Sequence, residues 1–184
     1  QENRFTGVAV NAAGGVIVTG YASGTMYASS LGASDIVLAE YDASSGEPKW
    51  GLQCCTAGAE LAEDVAVRGN SSVVVVGESS STDYSDFVRT PHQSSQLGGE
   101  FIAFVRSFTG VGGTDWTEAW TFTLHTDEGA AGGLGSGRDC YMTSVATDSR
   151  GDVIAAGHTS GTLSGLGLAP VGDDDDDAFV LKID

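Results

Sequence analysis

A threefold internal repeat constrains this chain more than any single residue does, because it dictates one supersecondary unit used three times. The first copy reads Gly7-Val8-Ala9-Val10, a turn at Asn11–Gly15, then Val16-Ile17-Val18-Thr19-Gly20. The second reads Asp64-Val65-Ala66-Val67, a turn at Arg68–Ser72, then Val73-Val74-Val75-Val76-Gly77. The third reads Ser144-Val145-Ala146-Thr147, a turn at Asp148–Asp152, then Val153-Ile154-Ala155-Ala156-Gly157. Each is a short apolar strand, a polar turn rich in Gly, Asn, Asp and Ser, and a second apolar strand closed by Gly. That is a β-hairpin pattern three times over.

A third strand follows each hairpin after a loop of variable length: Asp35–Asp42, Ile102–Thr109 and Asp177–Asp184, each ending in apolar–polar alternation. A tryptophan strand comes next in the first two repeats, around Trp50 and from Trp116 to Leu124. The third repeat does not reach it. The closing glycines are spaced by 57 and then 80 residues, and the excess lies in insertions at Ser79–Gly99 and in a Gly-rich stretch after Thr126. Strand cores stay constant while loops grow, as expected when strands pack and loops face water. No helical periodicity of useful length appears. The chain therefore reads as all-β and propeller-like, with about three four-stranded antiparallel blades of which the last is incomplete. The repeats span 1–56, 57–124 and 138–184, with 125–137 as an insertion loop.

The order of these segments resembles the SBBP β-propeller repeat over essentially the whole chain. Val8–Gly20, Ser160-Gly161 and Asp177–Asp184 are the nearest parts, and Thr82–Tyr84 with Thr90–Gln93 is similar to that family's extended loop. The resemblance implies four-stranded blades around an axis in an exported or surface protein, without shared catalytic residues. The long second loop, the Gly-rich insertion and the five-Asp run depart from the family pattern. Tyr41–Gly46 followed by Trp50 is also similar to the turn of quinoprotein-type propellers, where the Trp docks neighbouring blades; nothing resembling quinone ligands accompanies it. Closed propellers need about four to eight blades. Three repeats cannot close, so the expectation is further blades from a longer protein or other protein chains covering the open edges.

Charge narrows the partners. The chain carries 25 Asp and Glu against 8 Lys and Arg, for a net charge of −17. Such a surface repels phosphate backbones and anionic headgroups, which argues against nucleic acid and membrane surfaces. No apolar run approaches the roughly 20 residues that span a bilayer. The sequence opens at Gln1 without a signal-type leader, as in a processed chain or a piece of one. Asn70-Ser71-Ser72 is an N-glycosylation sequon on a hairpin turn. Acidity and sequon together point to an extracellular protein.

Three cysteines, Cys54, Cys55 and Cys140, lack metal-ligand spacing. One disulfide from Cys54 or Cys55 to Cys140, or free buried thiols, are the two expectations. Asp173, Asp175 and Asp177 lie in a five-Asp run and make a candidate Ca²⁺ site, because Ca²⁺ takes six to eight oxygen ligands. With Asp184 they partly match an EF-hand loop, but Ala178 stands where Gly is required; the bland reading is a solvated acidic loop. His92, His125 and His158 stand in unrelated contexts and read as surface or loop histidines. No nucleophile elbow or phosphate-cradling glycine loop is present. Trp50 is expected between blades, while Trp116 and Trp120, four residues apart, are expected on one strand face. The functional expectation is a non-catalytic structural or interaction module. The alternative is a carbohydrate- or Ca²⁺-binding propeller module, with a propeller enzyme behind both.

Overall fold

The computed structural model describes residues 2–80, 101–110, 116–124, 139–161, 163 and 176–184. Among them there is no helix, hence none long and apolar enough to cross a membrane. Eleven strands among the described residues form three antiparallel sheets, each an up-and-down meander. The first sheet runs β1 (Asn3–Val10), β2 (Gly15–Ala22), β3 (Asp35–Asp42) and β4 (Pro48–Cys54). The second runs β5 (Glu60–Arg68), β6 (Ser72–Ser79), β7 (Ile102–Gly110) and β8 (Trp116–Leu124). The third comprises β9 (Cys140–Thr147), β10 (Val153–Thr159) and β11 (Asp177–Ile183).

The first and third hairpin turns are closed by their opening side chain. Asn11 Oδ1 accepts from the N–H groups of Ala13 and Gly15, and Asp148 Oδ1 accepts from those of Arg150 and Asp152. Gly14 and Gly151 take the left-handed backbone this turn requires, at φ 82° and 86°. The closing glycine of each hairpin has a different reason. The first strand of every sheet bulges at one position, Thr6, Glu63 and Thr143, opposite the pairs Phe5↔Gly20, Ala62↔Gly77 and Met142↔Gly157. A bulge bends the strand and pushes backbone toward its partner. A Cβ at Gly20, Gly77 or Gly157 would collide with the carbonyl oxygen of Arg4, Leu61 or Tyr141. A serine three residues on clips each hairpin shut. The N–H groups of Glu2, Ala59 and Asp139 donate to Oγ of Ser23, Ser80 and Ser160, whose own N–H groups donate back to the same residues' carbonyls.

The sheets stack in sequence. β5 packs across β1, β2 and β3, and β9 packs across β5, β6 and β7. Each sheet thus has a leading face, turned toward the next sheet in sequence, and a trailing face, turned the opposite way; only the two middle contacts cover them. Ile17, Ile36 and Leu38 on the leading face of the first sheet bury against Val65, Val73, Val75 and Phe104 of the second. Val74, Val76, Ala103 and Val105 on the second sheet's leading face bury against Met142, Val145, Ala155 and Phe179 of the third. The same repeat positions meet in both interfaces.

Candidate functional site

The first two sheets do not close fully on one another. At the turn end of their interface they leave a cleft of about 440 Å³, lined among others by Asn11, Glu40, Lys49, Trp50, Asn70 and Trp116. Trp50 reaches it because β4 bulges at Lys49, the register slipping between the pairs Glu40↔Trp50 and Tyr41↔Pro48. Trp50 and Trp116 face each other across the sheets with ring centroids 4.6 Å apart and planes tilted by 35°. Glu40 shares the leading-face alternation of Ile36 and Leu38, which carries its carboxylate to the cleft wall. There it accepts from Trp50 Nε1 at 2.8 Å, Lys49 Nζ at 3.2 Å and Asn11 Nδ2 at 3.2 Å. Partial burial pushes its pKa up, but these three donors outweigh that and hold it below the usual carboxylate range. Trp116 Nε1 is buried with no hydrogen-bond partner among the described residues.

A second hollow of about 200 Å³ shares Trp116 and is lined by Cys54, Cys55, Arg106 and Glu118. Arg106 is fully buried, with its guanidinium 3.4 Å from the Glu118 carboxylate and over the Phe104 ring. The wall of the site therefore offers a stacked pair of indoles, a fixed carboxylate, an amide and an ammonium. That inventory suits a polyhydroxylated or aromatic ligand held by stacking and hydrogen bonds.

The expected pairing of Cys140 with Cys54 or Cys55 is not what the structure holds. The sulfurs of Cys54 and Cys55 are bonded to each other at the edge of the first interface. Cys140 is a free thiol in the core of the second interface, where burial pushes its pKa up to about 12. The two sites belong to different inter-sheet cores, which is why they cannot meet. Trp116 and Trp120 are a second correction. β8 bulges at Ala119, between the pairs Ser107↔Trp120 and Phe108↔Glu118, and one extra residue inverts the face of what precedes it. Trp116 packs toward the first sheet and Trp120 toward the third. Trp120 thus occupies the register of Trp50, each following a bulge on the fourth strand.

Asn70 is exposed on the β5–β6 turn at the mouth of the cleft. His158 lies on β10, stacked on Tyr141 at 4.8 Å. Asp177 opens β11 opposite Thr159. Asp173, Asp175, His92 and His125 lie outside the described residues. Glu40, Asn11, Lys49 and Arg106 were not singled out by sequence. The one available signal was an acidic residue continuing the aliphatic face of β3 at Glu40. Neither a scan of protein-family models nor a search of curated proteins returns a match to the chain.

Proposed function

We propose that this chain is a non-catalytic interaction module of propeller-type blades, akin to the SBBP repeats it resembles, that acts outside the cell by docking through its two terminal sheet faces. One observation carries this reading. Val65 and Val145 are 4% and 8% exposed, yet their equivalent on the first sheet, Val8, is 65% exposed. Leu38 and Val105 are fully buried, yet their equivalent on the third sheet, Val180, is 68% exposed. Burying such a side chain is worth about 1.5 kcal/mol or more. The stack therefore ends in two apolar faces shaped like its own buried ones. Net acidity and the exposed sequon at Asn70 support an extracellular setting, in which Asn70 carries a glycan.

The test is an apolar fluorescent dye together with amide exchange on the full chain. Free docking faces bind dye and lose it on Val8→Asp with Val180→Asp, whereas covered faces protect the amides of β1 and β11. The absence of both dye binding and amide protection would sink the reading.

A second reading, a carbohydrate site, is favoured by the inter-sheet cleft that the stacked Trp50 and Trp116 line. Sugar C–H faces stack on indoles, and Glu40, Asn11 and Lys49 supply hydrogen bonds to hydroxyls. Oligosaccharides that quench tryptophan emission in the wild type and not in Trp50→Ala would support it; a silent glycan array would dismiss it. The Ca²⁺ assignment to Asp173, Asp175 and Asp177 rests on the acidic run, and a calorimetric titration with CaCl₂ decides it.

A further inference from the structure

The trailing face of the first sheet and the leading face of the third are the two halves of an interface the molecule already makes twice. We infer that they bind each other reciprocally between two copies of this chain, the first sheet of each against the third sheet of the other. This rests on the docking reading above and names its partner.

Three features support a second copy. The faces match by register. Val8, Val10, Val16 and Val18 stand where Val65, Val67, Val73 and Val75 meet the first sheet, and Ile154, Ala156, Ala178 and Val180 stand where Val74, Val76, Ala103 and Val105 meet the third. No carboxylate is among these eight, and Lys182 borders them. The net charge of −17 on each copy is therefore not concentrated at the contact, and salt screens it beyond about 8 Å.

The polar contacts at the sheet edge fit as well. Gly7, Asp64 and Ser144 occupy one repeat position. In the second interface the Asp64 carboxylate accepts from Ser144 Oγ at 3.1 Å and from the Val145 N–H at 2.9 Å. In the new interface Ser144 takes the place of Asp64, and Gly7 with Val8 of the second copy takes the place of Ser144 with Val145. Gly7 leaves room, and the Val8 N–H meets the Ser144 hydroxyl.

Sedimentation of the full chain tests this, with the surface variants Val8→Asp and Val180→Asp. Wild type is expected as a dimer, and each variant alone as a monomer dissociating at least about 100-fold more readily. Because both valines are exposed in the single chain, each variant should keep the wild-type circular dichroism. Mixing the two variants restores one of the two interfaces, so a dimer reappears only in the mixture. A wild-type monomer at all concentrations, open-ended larger oligomers, or a dimer indifferent to both substitutions would overturn the inference. In those cases dye binding lost in the variants still upholds docking faces with another occupant, and its absence brings down the docking reading too.

Discussion

The two inter-sheet interfaces use the same strands at the same positions and yet are locked differently. Between the second and third sheets the contacts are polar and specific. Asp64 clamps Ser144 and Val145, Thr147 Oγ1 donates to the Val67 carbonyl at 2.7 Å, and Arg68 Nε donates to the Gly151 carbonyl at 2.6 Å. Arg68 also lies 5.9 Å from the Trp120 ring. Between the first and second sheets, Gly7 replaces Asp64 and Asn11 replaces Arg68. Backbone approaches backbone at Gly7, Thr6 Oγ1 donates to the Ala62 carbonyl at 2.6 Å, and the far end opens into the tryptophan cleft. One repeat thus supports a sealed contact or a contact with a pocket, depending on two side chains at the sheet edge.

Substitutions at the shared positions break that contrast in a definite order. Gly7→Ala should do the most harm, because its Cβ would come within 2.8 Å of the Asp64 Cα and 2.9 Å of the Val65 nitrogen, neither of which can move freely. A loss of about 3 kcal/mol is expected in urea denaturation, and unchanged stability would mean the first interface is not backbone-limited. Asp64→Ala removes the acceptor of two inter-sheet hydrogen bonds and should cost about 2 kcal/mol, again by denaturation. If the third sheet's amides exchange no faster, the clamp is not what seals it.

Trp50→Phe keeps the ring stack but deletes the donor to Glu40, with an expected loss of about 1 kcal/mol at neutral pH. The sign follows from linkage. Glu40 has a depressed folded pKa, so its contribution is present above the unfolded value and fades as pH falls through the folded one. Trp50→Phe should therefore destabilise more at pH 7 than at pH 3, and Glu40 should titrate closer to its ordinary value by NMR.

The smallest effect belongs to Glu78, on the leading face of the second sheet. Burial, with Glu63 and Asp139 nearby, raises its pKa to about 7. A raised acid pKa removes stability as pH climbs from the unfolded value near 4.3 toward 7. Glu78→Gln should then raise the melting temperature at pH 8 by at most about 2 °C, since the side chain keeps water contact and is screened. No difference is expected at pH 4, and an equal gain at both would refute the electrostatic cause.

The antiparallel all-β organisation was legible because valine-rich hairpins and their Asn or Asp turns are local signals. The glycines at 20, 77 and 157 were visible as a pattern, but their cause was not. The bulge residues opposite them, Thr6, Glu63 and Thr143, share no side-chain chemistry that a sequence could announce. The same blindness misplaced Trp116 relative to Trp120, since strict alternation cannot register the extra residue at Ala119. The cleft was illegible for another reason. It joins Trp50 to Trp116 and exists only once two sheets are stacked.

The long second loop has a practical meaning. β2 and β3 are joined by residues 23–34 and β6 and β7 by residues 80–101, nearly twice as many, yet both pairs keep an unbroken eight-residue ladder. Doubling a loop costs only about 0.6 kcal/mol of closure entropy. The serine clip at Ser80 ties down the end of β6 through its bonds to Ala59. The end of β6 is thus anchored at Ser80, so the length of the connection that follows can change without asking the strands to yield.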